Sequence, residues 1–127
     1  MKPTKLFRGL SCRNWIDKTT ASKSVSAKAF LRKERDVDGL SVFDEAQCCH
    51  KLDIYGIALI ETSKVEALAN PLDGSNLHVR FNDPEDTHHL VIENVPFHHL
   101  HEYEAEMLAG HLARRAALFW EKTKTSS

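Results

Sequence analysis

Histidines are the residues of this sequence whose type and spacing most suggest chemistry. There are eight, and five lie close together in the second half: His88, His89, His98, His99 and His101. Imidazole binds zinc, nickel and copper, so the cluster supports a metal-binding hypothesis. His98 and His101, three residues apart on a predicted helix, are the candidate ligands, whereas neighbouring His88 and His89 would point to opposite faces of a strand. The simpler interpretation, which we favour, is a set of solvated surface histidines with no native metal site.

A second set of candidate residues is spread along the chain. Arg8 follows Leu6-Phe7, Ser41 lies within Gly39-Leu40-Ser41-Val42, and two glutamates come late, in Glu102-Tyr103-Glu104. The guanidinium fork of an arginine matches a phosphate group, and a carboxylate can stabilise a developing sugar cation. These residue types therefore suit chemistry on a nucleotide cofactor.

The order of these three blocks resembles that of the ADP-ribosyltransferases. The resemblance implies NAD as the cofactor, with Arg8 binding its phosphate and Ser41 supporting it, and with Glu104 or His88 serving the reaction. The middle block lacks the Ser-Thr-Ser triplet of that family, and both glutamates fall in a predicted helix. The alternative is that all of these residues have ordinary structural positions and that no cofactor binds.

Further short blocks run through most of the chain. They are Leu6-Phe7-Arg8, Val25-Ser26, Ala29-Phe30, Gly39-Leu40-Ser41-Val42, Gly56-Ile57-Ala58, Asn70-Pro71-Leu72, Asp83-Pro84 and His88-His89-Leu90-Val91. This order, from about Leu6 to Ile92, is similar to that in a group of short uncharacterised bacterial proteins. The resemblance implies a one-domain bacterial protein and supplies no mechanism.

Hydrophobic periodicity predicts an α+β fold with a mostly antiparallel sheet and short helices. Alternating or continuous apolar stretches predict strands, and Asp44 is expected to cap a short helix that begins at Glu45. Residues 98–122 repeat apolar side chains at steps of three or four, which predicts a long C-terminal amphipathic helix packed on the sheet. We expect one domain over residues 1–122 and a frayed tail at 123–127.

Composition limits the partners and the compartment. The net charge of −1 gives no general attraction to nucleic acid, and no apolar run approaches the ~20 residues that a membrane helix needs. The three cysteines, Cys12, Cys48 and Cys49, do not form a disulfide framework of the kind found in secreted proteins. The sequence therefore predicts a cytoplasmic protein without a nucleic-acid or membrane partner.

Strong catalytic motifs are absent from the sequence: it contains no G-x-G-x-x-G, Walker A, G-x-S-x-G or H-E-x-x-H pattern. The leading hypothesis is a non-enzymatic interaction protein with a protein partner, as a component of a complex or of a toxin–antitoxin or defence-type operon. The alternatives are an NAD-dependent ADP-ribosyltransferase-like enzyme and a histidine-rich metal-binding protein. The interaction hypothesis predicts an exposed apolar patch at Phe97, at Trp120 or on the outer face of the last helix.

Overall fold

The computed structural model of the chain describes residues 2–19, 22–50, 53–83 and 85–122, so the predicted tail at 123–127 lies outside it. The strands in chain order are β1 Lys5–Leu10, β2 Ile16–Asp17, β3 Ser24–Val25, β4 Leu40–Phe43, β5 Gly56–Glu61, β6 His78–Asp83, β7 Asp86–Glu93 and β8 Ala117–Glu121. The α-helices are α1 Ala46–Cys49, α2 Thr62–Glu66 and α3 Glu102–Arg115, and 3-10 helices cover Arg13–Trp15 and Ala27–Phe30.

Six strands form one sheet in the order β6-β7-β4-β1-β5-β8, and every neighbouring pair is antiparallel. Strands β2 and β3 form a separate two-stranded ribbon. The predicted α+β class, with a mostly antiparallel sheet, short helices and a C-terminal helix, is confirmed.

The main core lies on one face of the sheet. Strand β1 alternates as a half-buried strand should, with Leu6 and Leu10 fully buried on this face. Helix α3 and the 3-10 helix Ala27–Phe30 cover it, and α3 contributes four buried side chains: Ala105, Leu108, Ala109 and Leu112.

A smaller cluster lies on the other face of the sheet. Cys49, which follows β4 on α1, packs there with Ile54 and Ile57, and Phe7 and Trp120 partly cover the cluster. The sheet is therefore covered across one face by α3 and over part of the other by α1.

The C-terminal helix is shorter than its apolar spacing predicts. It begins at Glu102 and ends at Arg115, and residues Ala117–Glu121 form β8 on the outer edge of β5. The chain turns out of the helix at Ala116, whose ψ of 155° is extended. Pairing with β8 satisfies backbone groups on the edge of β5 that another helical turn would leave unpaired, and the aromatic side chains of this segment suit a strand. Among the described residues, no helix combines the length and the hydrophobicity needed to cross a membrane.

Candidate functional site

His88, one of the predicted site residues, is paired with Asp44. The β4–β7 register pairs Phe43 with His89, so the next residues, Asp44 and His88, face each other where β4 ends. The Asp44 amide donates to the His88 carbonyl at 3.1 Å, and His88 Nδ1 lies 2.8 Å from Asp44 Oδ1. The hydrogen bond and the negative charge of Asp44 raise the pKa of the half-buried His88 ring. The pair is positioned by the sheet itself.

The thiol of Cys48 lies beside the His88–Asp44 pair. Cys48 lies on α1, is 7% exposed, and places its sulfur in one group with donor atoms of Asp44 and His88, all within 4.8 Å of one another. The prediction that Asp44 caps α1 is wrong: the capping residue is Glu45, its side chain makes no cap hydrogen bond, and the Asp44 carboxylate turns to His88 instead. The spacing of residues in the sequence does not identify Asp44 and Cys48 as members of one site with His88. The register of β4 against β7, which sets Asp44 opposite His88, is the feature that does.

Ser41 and His89 form a second polar pair. Ser41 Oγ lies 2.5 Å from His89 Nε2, and the His89 ring packs on Phe43 with centroids 5.2 Å apart. The contact follows the side-chain alternation of β4 and β7, in which His89 shares a face with Phe43 and His88 lies on the opposite one. The two neighbouring histidines thus join different groups.

Arg8 is a buried structural cation in this fold. Its side chain points into the main core, where Nε donates to the Ala29 carbonyl at 2.6 Å and Nη1 to the Ser41 carbonyl at 2.7 Å. The residue is 8% exposed, and burial lowers the pKa of its guanidinium to about 10, which still leaves it charged at neutral pH. Arg8 therefore ties the 3-10 helix Ala27–Phe30 to β4.

The four residues suggested by the transferase resemblance do not converge. Arg8 projects into the main core, whereas Ser41 projects from the opposite face of the sheet towards His89. His88 is paired with Asp44, and Glu104 lies in the first turn of α3. Within the part of the chain that the structure describes, the hydrogen bond that links members of this set runs from the Arg8 side chain to the backbone carbonyl of Ser41.

The histidines before α3 have a different arrangement from the predicted one. The helix begins at Glu102, so His98 precedes it in a turn and His101 is its capping residue, and the expectation that they share a helix face is wrong. His98 Nε2 lies 3.3 Å from Glu106 Oε1, and Glu102 is close enough to form a three-residue group with them. His101 is not part of that group.

The outward face of α3 and the turn that precedes it carry large apolar side chains. Leu100 is 63% exposed, Tyr103 73% and Met107 39%. Tyr103 and Met107 are four residues apart on α3, opposite the buried stripe that contains Leu108 and Leu112, and Leu100 lies in the turn before the helix. The apolar periodicity of the sequence predicts all five residues on one stripe of a helix. In the structure Leu108 and Leu112 are buried, whereas Leu100, Tyr103 and Met107 are exposed.

Comparison of the chain with family models, with curated proteins and with solved structures gives no significant match. The resemblances inferred from short sequence blocks therefore stay predictions, and function has to be argued from the surfaces and clusters described above.

Proposed function

We propose that this chain is a non-enzymatic interaction protein that assembles into a protein complex through the outer face of α3. The observation that carries the proposal is the exposed stripe of Leu100, Tyr103 and Met107. Single exposed apolar side chains are ordinary on protein surfaces, but Tyr103 and Met107 in helical register, with Leu100 in the turn just before the helix, form a larger apolar strip. Such a strip is suited to pack against another helix. The other two predicted places for a patch, Phe97 and Trp120, are both half-buried.

The charges that flank the strip favour a second copy of the same chain as the partner. Helix α3 carries Glu102, Glu104 and Glu106 at its start and Arg114 and Arg115 at its end. Two such helices in antiparallel orientation place the acidic end of each beside the basic end of the other. An antiparallel pair also has the two-fold symmetry that most homodimers show.

Gly110 adds room for close approach on this surface. It follows Met107 on the same stripe, and a Cβ atom there would meet the guanidinium of Arg114 at 3.4 Å. A two-fold axis near Met107 would place Tyr103 of one copy over the flat surface at Gly110 of its partner.

We include a cytoplasmic location in the proposal, because the cysteines, exposed Cys12 among them, are reduced thiols.

The first prediction concerns the oligomeric state. The protein is expected to sediment as a dimer, and Met107→Glu is expected to make it monomeric because two added carboxylates would face each other near the axis. The matched control is Leu72→Glu, at an apolar residue that is 44% exposed outside α3, which should leave the dimer intact. Sedimentation velocity over a concentration series measures both. A wild-type protein that stays monomeric at its highest soluble concentration would overturn the proposal.

A charge exchange tests the orientation of the two helices. The double variant Arg114→Glu, Arg115→Glu should weaken the dimer, and adding Glu102→Arg and Glu106→Arg should restore it. The quadruple variant has its charges reversed relative to the helix dipole, so regained association could not come from a more stable helix. Failure of the quadruple variant to associate, with its circular dichroism spectrum unchanged, would argue against the antiparallel arrangement.

A further inference from the structure

Three metal-binding side chains meet where β4 ends beside β7. Asp44 follows β4, Cys48 lies on α1, and His88 lies on β7. One donor atom from each falls within 4.8 Å of the others, although 40 residues separate Cys48 from His88. The cluster forms because antiparallel pairing sets Asp44 opposite His88 and the short helix α1 folds back beside them. Backbone contacts of the sheet thus place donors from three different elements at one point.

The types of donor select the class of metal. A thiolate and an imidazole favour zinc and its neighbours, cobalt, nickel and copper, over magnesium and calcium, which prefer oxygen ligands. Bonds of ~2.0–2.3 Å in a tetrahedral zinc site hold ligand atoms roughly 3.3–3.8 Å apart. His88 Nδ1 and Asp44 Oδ1 are 2.8 Å apart and all three donor atoms lie within 4.8 Å of one another, so shifts of about 1 Å would bring the set to these distances.

The degree of burial also fits a metal site with an open position. Cys48 is 7% exposed, whereas the side chains of Asp44 and His88 are 22% and 46% exposed. A cation here would be enclosed on the α1 side and accessible to solvent on the other. Three protein ligands with a fourth position left to water or another small ligand is the arrangement of zinc sites that are not purely structural.

We propose that Asp44, Cys48 and His88 bind a divalent transition metal of the zinc class, with the fourth position open to solvent. Binding replaces the hydrogen bond between His88 and Asp44 with two bonds to the metal: the neutral His88 ring moves its proton from Nδ1 to Nε2 through water, and Cys48 releases its thiol proton to water. The site links α1 to β4 and β7, so the metal stabilises the fold. It is independent of the α3 surface, and the proposed dimer and the proposed metal site can succeed or fail separately.

The group of His98, Glu102 and Glu106 is the natural comparison within the same molecule. It offers an imidazole and two carboxylates but no thiol, and both carboxylates are on exposed residues. The exposed Cys12 provides a thiol away from either group. The group of His98, Glu102 and Glu106 is therefore the control for ligand type, and Cys12 is the control for thiol content.

Cobalt titration of the chelator-treated full chain tests the proposal. Cobalt(II) bound at the proposed site should give the charge-transfer absorption of a cobalt–thiolate bond, together with the intense visible bands of a tetrahedral ion, and zinc should abolish both signals. Cys48→Ser, His88→Gln and Asp44→Asn should each lower affinity by at least about 100-fold. Cys12→Ser and the double variant Glu102→Gln, Glu106→Gln should bind cobalt like the wild type.

Thermal unfolding of the wild-type protein gives a second measurement that needs no variant. Zinc at a hundredfold excess over its Kd should raise the unfolding midpoint by roughly 8–15 °C, and a chelator should reverse the shift. Cobalt bound without a thiolate band, a band lost in Cys12→Ser but kept in Cys48→Ser, or a midpoint that zinc does not move would each overturn the proposal. The wild-type titration decides the matter even if a variant fails to fold.

Discussion

Arg8→Ala is expected to lower the free energy of unfolding by about 3–5 kcal/mol. The substitution removes two charge-assisted hydrogen bonds, to the carbonyls of Ala29 and Ser41, and leaves both oxygens without their donor inside the core. It also empties the space between the rings of Trp15 and Phe30, whose centroids lie 5.8 and 5.9 Å from the guanidinium carbon. Urea denaturation, followed by circular dichroism, measures the change.

Two further variants separate the role of the charge from that of the hydrogen-bonding fork. Arg8→Lys keeps a cation but cannot bond both carbonyls, so we expect a loss of about 2 kcal/mol. Arg13→Ala, at an exposed arginine that stacks on Tyr55 at 5.0 Å, should cost no more than about 1 kcal/mol. A stable Arg8→Ala protein that has lost an NAD-induced rise in its unfolding midpoint would instead support the cofactor role suggested by the transferase resemblance.

Arg8 shows where sequence reasoning about the site stops. An arginine on a strand next to apolar residues is compatible with a phosphate ligand, because phosphate and backbone carbonyl are both acceptors for a guanidinium. Which acceptor it meets depends on the path of residues 27–41, which brings the Ala29 carbonyl over β1. That path is set by packing between segments far apart in sequence, and no local pattern encodes it.

The end of α3 shows the same limit for the fold. Residues 98–122 do repeat apolar side chains at helical steps, and the helix is correctly predicted over Glu102–Arg115. Beyond Ala116, however, Phe119 and its neighbours suit a strand equally well, and the open edge of β5 decides the outcome. Strands β1 and β4 each alternate between a buried and a less buried face, which is the local pattern that a sequence does carry.

The proposed metal site was visible in sequence only as separate parts. Cys48 appeared as one of two neighbouring cysteines, Asp44 as a helix cap, and His88 as one histidine of a cluster. Their common position follows from the pairing of Leu40–Phe43 with residues 89–92, which is a long-range feature. The register of β4 against β7 also depends on Gly39, the residue that immediately precedes β4.

Gly39→Ala is expected to lower the free energy of unfolding by at least about 3 kcal/mol. Gly39 has a φ of 138°, a conformation that residues with a Cβ atom rarely adopt, and a Cβ atom there would lie 2.3 Å from the backbone oxygen of Ile92. A clash with a backbone oxygen cannot be relieved by rotating a side chain, so β4 and β7 would have to separate at Leu40 and Ile92. Urea denaturation measures the loss.

Gly74→Ala is the matched control, since Gly74 also has a positive φ, of 77°, but no atom of the described residues, apart from its chain neighbours, lies within 4 Å of the added Cβ. This substitution should lower the free energy of unfolding by about 1 kcal/mol. The alanine strains the folded chain, but it also reduces the conformational freedom of the unfolded chain, which offsets part of the loss. Because β4 carries Asp44 to His88, Gly39→Ala should also weaken cobalt binding, whereas Gly74→Ala should not. Equal losses of stability in the two variants would mean that the contact with Ile92 does not hold β4 in register.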